Sequence, residues 1–176
     1  SLLFKFIYLN KAAYIYFMKS SSLARTIELA KLAAKVGFKE LWSGDINSRV
    51  EQAKLIAKSD TVACGGPLVP RIIALAQSQF KVGDVKFKIH HPDGALLKKG
   101  DLWMEFEGKA QDVLGLERTI LNFLIRGCGI ATQTKKIVDL VSGTNCKVLH
   151  TRKTMPGHRR TDIYACLVGG AHPHRR

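Results

Sequence analysis

Acidic residues are scarce in this 176-residue chain: fourteen Asp and Glu stand against twenty-eight Lys and Arg, leaving a net charge of +14. Such an excess excludes an acidic solvating tail and asks for a polyanionic partner or substrate, whether nucleic acid, a phosphorylated metabolite or an anionic membrane. Cysteine is sparse too. Cys64, Cys128, Cys146 and Cys166 form no C-x-x-C pair, which argues against a zinc or thioredoxin-like redox site and suits reduced thiols in a cytoplasmic protein. Five prolines and fifteen glycines are too few for collagen or Pro-rich low complexity. What is present is ordinary globular material, 46% apolar, enough for one sizeable core and one domain or one and a half.

The N-terminus differs in composition from the rest. Residues 2–17 hold six of the twelve Phe and Tyr residues. Lys5, Asn10 and Lys11 interrupt the stretch, so it reads poorly as a membrane span of about 20 apolar residues. It is equally poor as a signal peptide, with no small-x-small cleavage site before Met18. Met18 therefore reads as the natural start, and residues 1–17 as a non-native or disordered extension. Two units are expected beyond it: an N-terminal α/β domain over 18–115, and a second over 116–176 that begins an α/β barrel.

The spacing of Leu23, Ile27, Ala30 and Ala34 predicts a helix over 23–36, followed by a loop around Ser43-Gly44-Asp45. Ala53–Cys64 reads as strand up to Gly65-Gly66, and 71–77 as a short helix. Val85, Phe87 and Ile89 alternate with Lys86, Lys88 and His90, predicting a half-buried strand. Pro92-Asp93-Gly94 turns the chain, and 102–106 is a further strand. From Leu116 to Val141 the period becomes helical, with Gly127 and Gly129 predicting a break into two helices. Residues 147–150 then read as a strand, 151–157 as a loop and 162–168 as a helix, the order in which a β/α barrel starts.

The strongest chemical signal lies between His150 and Arg176. Arg152, Lys153, Arg159, Arg160, Arg175 and Arg176 share this stretch with four histidines and a single acid, Asp162. Arg152-Lys153 directly follows a predicted strand, the position from which barrel enzymes present functional groups. A planar guanidinium fork grips a carboxylate or phosphate through two parallel bonds, and the adjacent lysine adds a mobile point charge. Thr151, Thr154 and Pro156-Gly157 stiffen the loop, so the pair reads as a small-polyanion site. His172 and His174 lack a third ligand, and no metal-ligating set is expected. His90-His91 reads as surface.

Four short motifs in order carry a resemblance. Glu117-Arg118-Thr119-Ile120-Leu121-Asn122 comes first, then Gly129-Ile130-Ala131-Thr132. Thr151-Arg152-Lys153-Thr154 follows with Pro156-Gly157 and Arg159, and last Gly169-Gly170 with His174-Arg175. Together they resemble quinolinate phosphoribosyltransferase, the carboxylating nicotinate-nucleotide pyrophosphorylase of NAD biosynthesis, over residues 23–176. Gly44-Asp45 and Gly65-Gly66 fall at plausible family positions. Gly169-Gly170-Ala171 with Pro173-His174-Arg175 is also similar to a molybdenum-operon paralogue of the same fold. Arg118 favours the quinolinate enzyme, because the paralogue carries Trp-Lys where this chain has Glu117-Arg118.

The resemblance implies an α+β N-terminal domain followed by the beginning of an α/β barrel, the type II phosphoribosyltransferase architecture. It implies transfer of phosphoribose from phosphoribosyl pyrophosphate to quinolinate with loss of CO2, and Mg2+ on the pyrophosphate. Arg152 with His174 and Arg175 would hold the two quinolinate carboxylates, Lys153 would meet phosphoribosyl pyrophosphate, and Thr151 and Arg159 would belong to the same site. Arg118 would reach into a neighbouring subunit, making a homodimer or higher oligomer the active unit. The family's Mg2+ and ribose acids would lie beyond Arg176, so the chain is expected to be a truncated form whose activity alone is doubtful and which binds quinolinate poorly or not at all. The competing reading is a basic module that binds nucleic acid through charge alone, with no sequence preference. No recognition-helix, RNP-like or zinc-finger signature supports it, and neither specific nucleic acid nor membrane is an expected partner.

Overall fold

The computed structural model describes residues 4–8, as backbone, and 50–174. The predicted helix over 23–36, the loop at Ser43-Gly44-Asp45, and Arg175 and Arg176 lie outside the described residues. Strand β1 (Phe4–Tyr8), β2 (Val50–Ala57), β6 (Leu102–Lys109) and β4 (Val85–Ile89) form an antiparallel sheet in the order β1-β2-β6-β4. A ribbon of β3 (Thr61–Val62) and β5 (Leu96–Leu97) stands beside it. Three helices complete the described chain: α1 (Leu68–Phe80), α2 (Ala110–Leu140) and α3 (Arg159–Val168). Residues 1–17 were expected to stand outside the fold, yet the backbone of Phe4–Tyr8 pairs with Ala53–Ala57 as an edge strand.

Period-two alternation decides the two faces of the sheet. Leu55 lies opposite Met104 and Ala53 opposite Phe106, all four buried and turned toward α2. On the other face Lys54 pairs with Glu105 at 3.5 Å, Lys86 with Glu107 at 3.8 Å, and Gln52 donates to Glu107 at 3.1 Å. Solvated pairs of this kind fix register more than they stabilise, at about 0–1 kcal/mol each. β4 was expected to be half buried. Only Val85 is buried, because β4 closes the sheet as an edge and leaves Phe87 and Ile89 38% and 37% exposed.

Helix α2 is the spine of the molecule. Val113, Leu116, Ile120, Leu121, Leu124, Cys128 and Ala131 recur at three- and four-residue spacing and form its buried stripe. The break predicted at Gly127 and Gly129 does not occur, and the helix also runs unbroken across the expected boundary at 115/116. A Cβ on Gly127 would lie 3.1 Å from the Cys64 carbonyl oxygen and 3.4 Å from its sulfur. Glycine stays helical there because it lets the turn before α1 pack against the spine, a gain set against its helical penalty of about 1 kcal/mol. Thr132 supports the same junction: its hydroxyl accepts the Val62 N–H at 2.9 Å and lies 2.9 Å from the Thr61 hydroxyl.

Two predicted elements change extent. Helix α1 runs over Leu68–Phe80 rather than 71–77, ending at a left-handed Lys81. Residues 147–150 do not form an extended strand. They make one parallel bridge, Leu149 with His172, in which His172 N–H donates to Val148 O at 2.8 Å and His150 N–H to His172 O at 3.2 Å. The predicted helix at 162–168 begins three residues earlier, at Arg159. The described residues thus form a small α+β fold with one parallel β-α-β connection around α3, and they do not close a barrel.

Candidate anion-binding site

The parallel bridge fixes where the basic cluster sits. Because Leu149 and His172 run in the same direction, Thr151 and His174 emerge at the same end of the pair. The His174 backbone N–H donates to His150 Nε2 at 3.3 Å, and His150 Nδ1 faces the Thr151 carbonyl at 3.4 Å. An amide can only donate, so Nε2 is the acceptor and Nδ1 carries the proton. His150 therefore joins the start of the Thr151 loop to His174, across 24 positions of sequence.

The loop between the bridge and α3 is held by its own backbone. The Thr151 hydroxyl accepts the Lys153 N–H at 3.1 Å, Thr154 N–H donates to Arg152 O at 3.1 Å, and His158 N–H to Met155 O at 3.0 Å. Gly157 takes a φ of +79°, the left-handed turn that delivers the chain to α3. Arg152, Lys153, Arg159 and Arg160 are exposed, and none is in an ion pair among the described residues. Four cations thus share the start and end of one loop with unspent charge, next to the first-turn amides of α3, an arrangement that attracts a small polyanion.

Of the residues predicted for the site, Thr151 and Lys153 are joined by a hydrogen bond and His174 is tied to Thr151 through His150, while Arg152 lies on the same loop and Arg159 begins α3. Arg118 is separate. It is exposed on α2, eight residues before Arg126 and so about 12 Å along the helix. A shallow cavity of about 190 Å³ opens elsewhere, between the end of α2 and the segments at Lys147 and Gly170, and includes neither Arg152 nor Lys153.

Sequence reasoning missed two carboxylates that organise the surroundings. Asp162, buried at the start of α3, accepts Arg126 Nε and Nη2, both at 2.7 Å. The Arg126 guanidinium holds the Asp162 carboxyl below its ordinary range, against the opposing effect of burial, and the Met155 backbone N–H adds to it. Asp93 accepts Gly65 N–H at 2.7 Å, Gly66 N–H at 2.9 Å and the Tyr164 hydroxyl at 2.9 Å, tying the turn before α1 to α3. Burial, then donation to Asp93, pushes the Tyr164 phenol up to about 12. Burial likewise raises the Cys64 thiol to about 12, which makes it unreactive. The signal for Asp162 was its being the one acid in a basic stretch; nothing local marked Asp93.

Comparison with known proteins gives matches along most of the chain. Residues 32–128 match the family model described as quinolinate phosphoribosyl transferase, N-terminal domain, and 130–176 match the model for its C-terminal domain. A Bacillus subtilis (strain 168) protein named probable nicotinate-nucleotide pyrophosphorylase (carboxylating) is 32% identical over 155 residues, covering 85% of this chain and 52% of that protein. The crystal structure of NadC from Streptococcus pyogenes superposes with a TM-score of 0.68 at 30% identity, over 90% of this chain and 56% of that one. The nicotinate-nucleotide pyrophosphorylase of Francisella tularensis superposes at 0.70 with 28% identity, over 86% and 52% respectively. The chain spans about half the length of each of these three proteins.

Proposed function

The chain belongs to the quinolinate phosphoribosyl transferase family, and we propose that its Thr151–His158 loop and His174 take part in joining quinolinate to phosphoribose. The reaction uses phosphoribosyl pyrophosphate, releases pyrophosphate and CO2, and yields nicotinate mononucleotide for NAD biosynthesis. The observation that carries this reading is the parallel bridge, with Thr151 and His174 at one end and exposed Arg152 and Lys153 beside them. The bridge around α3 is also what supports reading 147–176 as the first turn of an α/β barrel.

Both substrates are polyanions, and the loop's chemistry suits them. Arg152 grips one quinolinate carboxylate with its fork, while His174 and Arg175 take the other. Lys153 meets phosphoribosyl pyrophosphate, and Thr151 and Arg159 complete the lining. The pyridine nitrogen forms a bond to the ribose anomeric carbon as the bond from that carbon to pyrophosphate breaks. Charge develops on the ribose and on the leaving oxygens, so the donors act by fixed electrostatics and orientation rather than by proton transfer. Loss of CO2 leaves the electron pair of the broken carbon–carbon bond on the ring, where a proton replaces the carboxylate.

Mg2+ belongs in this reading to the pyrophosphate of the substrate. The described residues supply no group of three His, Cys, Asp or Glu able to hold a metal, and Asp162 is spent on Arg126. Arg118 is proposed to serve a neighbouring subunit's site in a homodimer or higher oligomer. A cytoplasmic setting agrees with the unpaired cysteines, and no helix among the described residues is long and apolar enough to cross a membrane.

The test is a titration of the protein with quinolinate followed by NMR of the 150–176 backbone. Weak but saturable binding is expected, at least about tenfold weaker still for nicotinate, which lacks one carboxylate, and about tenfold or more weaker after Arg152→Gln, each losing a charge-assisted pair. Equal binding of quinolinate and nicotinate, or no saturable binding, would overturn the reading.

A further inference from the structure

An exposed loop carrying Arg152 and Lys153 is a poor binding device unless something holds it still. Its own hydrogen bonds, from Lys153 N–H to Thr151 and from Thr154 N–H to Arg152, are local and solvent-facing. One connection runs inward. The first turn of α3, into which the loop runs, carries Asp162, a residue only 6% exposed. Arg126, which donates to both carboxylate oxygens of Asp162 through two bonds of 2.7 Å, sits in the middle of α2 between the core residues Leu124 and Cys128. The loop is therefore fastened where it enters α3, through one carboxylate, to the longest element of the fold. Asp162 N–H donates to His158 O at 2.8 Å and His158 N–H to Met155 O at 3.0 Å, so the backbone from Met155 into α3 closes on the same point.

We propose that Asp162, clasped by Arg126, is a positioning residue that presets Arg152 and Lys153 for a dianionic ligand. The inference rests on the function proposed above and extends it to two residues that do not themselves meet substrate. Arg126 has a second consequence. A lone carboxylate this near the loop would neutralise part of its positive field and draw Arg152 or Lys153 inward. With its charge matched by Arg126, Asp162 orients the loop without competing with the ligand for the loop's cations.

The test compares the wild-type chain with Asp162→Asn, Arg126→Gln and Arg126→Lys by two measurements: quinolinate affinity from NMR titration, and amide hydrogen exchange at His158 and its loop neighbours. Asp162→Asn and Arg126→Gln are expected to speed exchange in the loop and weaken affinity about tenfold, the scale set by small misplacements of binding groups. Arg126→Lys keeps a cation beside Asp162 and is expected to recover most of both. Slowly exchanging amides in β2 and β6 report whether the variants remain folded; should Asp162→Asn unfold, the two Arg126 variants decide the matter. Wild-type binding that survives Asp162→Asn and Arg126→Gln unchanged would overturn the positioning role and leave the functional reading standing. A wild-type chain that does not bind quinolinate would overturn that reading and this inference with it, whereas loss of binding in Arg126→Gln without rescue by Arg126→Lys would reduce Asp162 to a packing role.

Discussion

Gly169 approaches Ala131 so closely that a Cβ added to it would lie 2.5 Å from the Ala131 carbonyl oxygen and 2.6 Å from Thr134 Cβ. The end of α3 thus rests directly on the backbone of α2, and buried Ala165 continues the contact one turn earlier. Small residues on both helices bring their axes together, which is what lets Asp162 reach Arg126.

Gly169→Ala is therefore expected to destabilise the fold by about 1–3 kcal/mol, the range for overpacking against atoms that cannot yield. Gly115, within α2 and with nothing within 4 Å of an added Cβ, is the matched control. Gly115→Ala should raise stability by up to about 1 kcal/mol through helix propensity and reduced freedom of the unfolded chain. Urea denaturation of the two variants, read by circular dichroism, should move the midpoints in opposite directions; movement in the same direction would refute the close packing of α3 on α2.

Asp162 gives the fold an acid limit. Its folded-state carboxyl lies below the ordinary value of 3.8 because Arg126 stabilises the anion. The stabilisation is fully present above about pH 4 and is lost as pH falls through the lowered folded-state value, since only below it is the native carboxylate protonated. Asp162→Asn should be less stable than wild type at pH 6, and the gap should narrow steadily as the pH falls below about 4. Thermal denaturation across that range checks it: a gap independent of pH would assign the loss to packing instead.

Much of this was legible in the residues, and the losses have physical causes. Strands β4 and β6 followed from alternation and turn chemistry, and the α2 stripe from its period. The false break at Gly127 arose because a glycine in a helical pattern looks alike whether it ends a helix or admits a neighbour; only the Cys64 carbonyl above it decides. The overestimated burial of β4 has a similar origin, since alternation reports which face a residue takes but not whether the strand lies at an edge. At the candidate site, the Thr151–Lys153 motif was visible because its residues are contiguous. The Arg126–Asp162 pair, 36 positions apart, and the Asp93–Tyr164 bond, 71 apart, are products of tertiary packing with no local pattern.

Tyr164 provides a spectroscopic check on the second of these contacts. Its phenol is raised to about 12 by burial and by donation to Asp93. Subtracting the ultraviolet titration of Tyr164→Phe from that of the wild type should leave one phenol ionising near 12 instead of near 10. The same bond makes a contribution that is present below about pH 10 and fades as pH rises toward 12, so wild type and variant should converge in stability at the alkaline end. Adding Asp93→Asn should return the Tyr164 titration toward the ordinary value; a difference curve centred near 10 in the wild type would mean that the α3 contact with the Asp93 turn is not made.

Arg118 tests the proposal that a complete site spans two subunits. It is exposed on α2, and among the described residues no hydrogen bond or ion pair joins it to the Thr151–His158 loop. If it serves a neighbour's quinolinate, Arg118→Ala should leave the urea midpoint nearly unchanged while costing about 1.5–3 kcal/mol of quinolinate binding, the worth of a charge-assisted bond. An ordinary surface arginine would cost at most about 0.5 kcal/mol of stability and nothing in binding. Mixing Arg118→Ala subunits with Arg152→Gln subunits separates action within a subunit from action across the interface. In a mixed dimer, Arg118 acting across the interface restores one site that has both arginines, so the mixture should bind quinolinate more tightly than either variant alone. Arg118 acting within its own subunit leaves every site in the mixture lacking one arginine, and the mixture would then bind no better than its components.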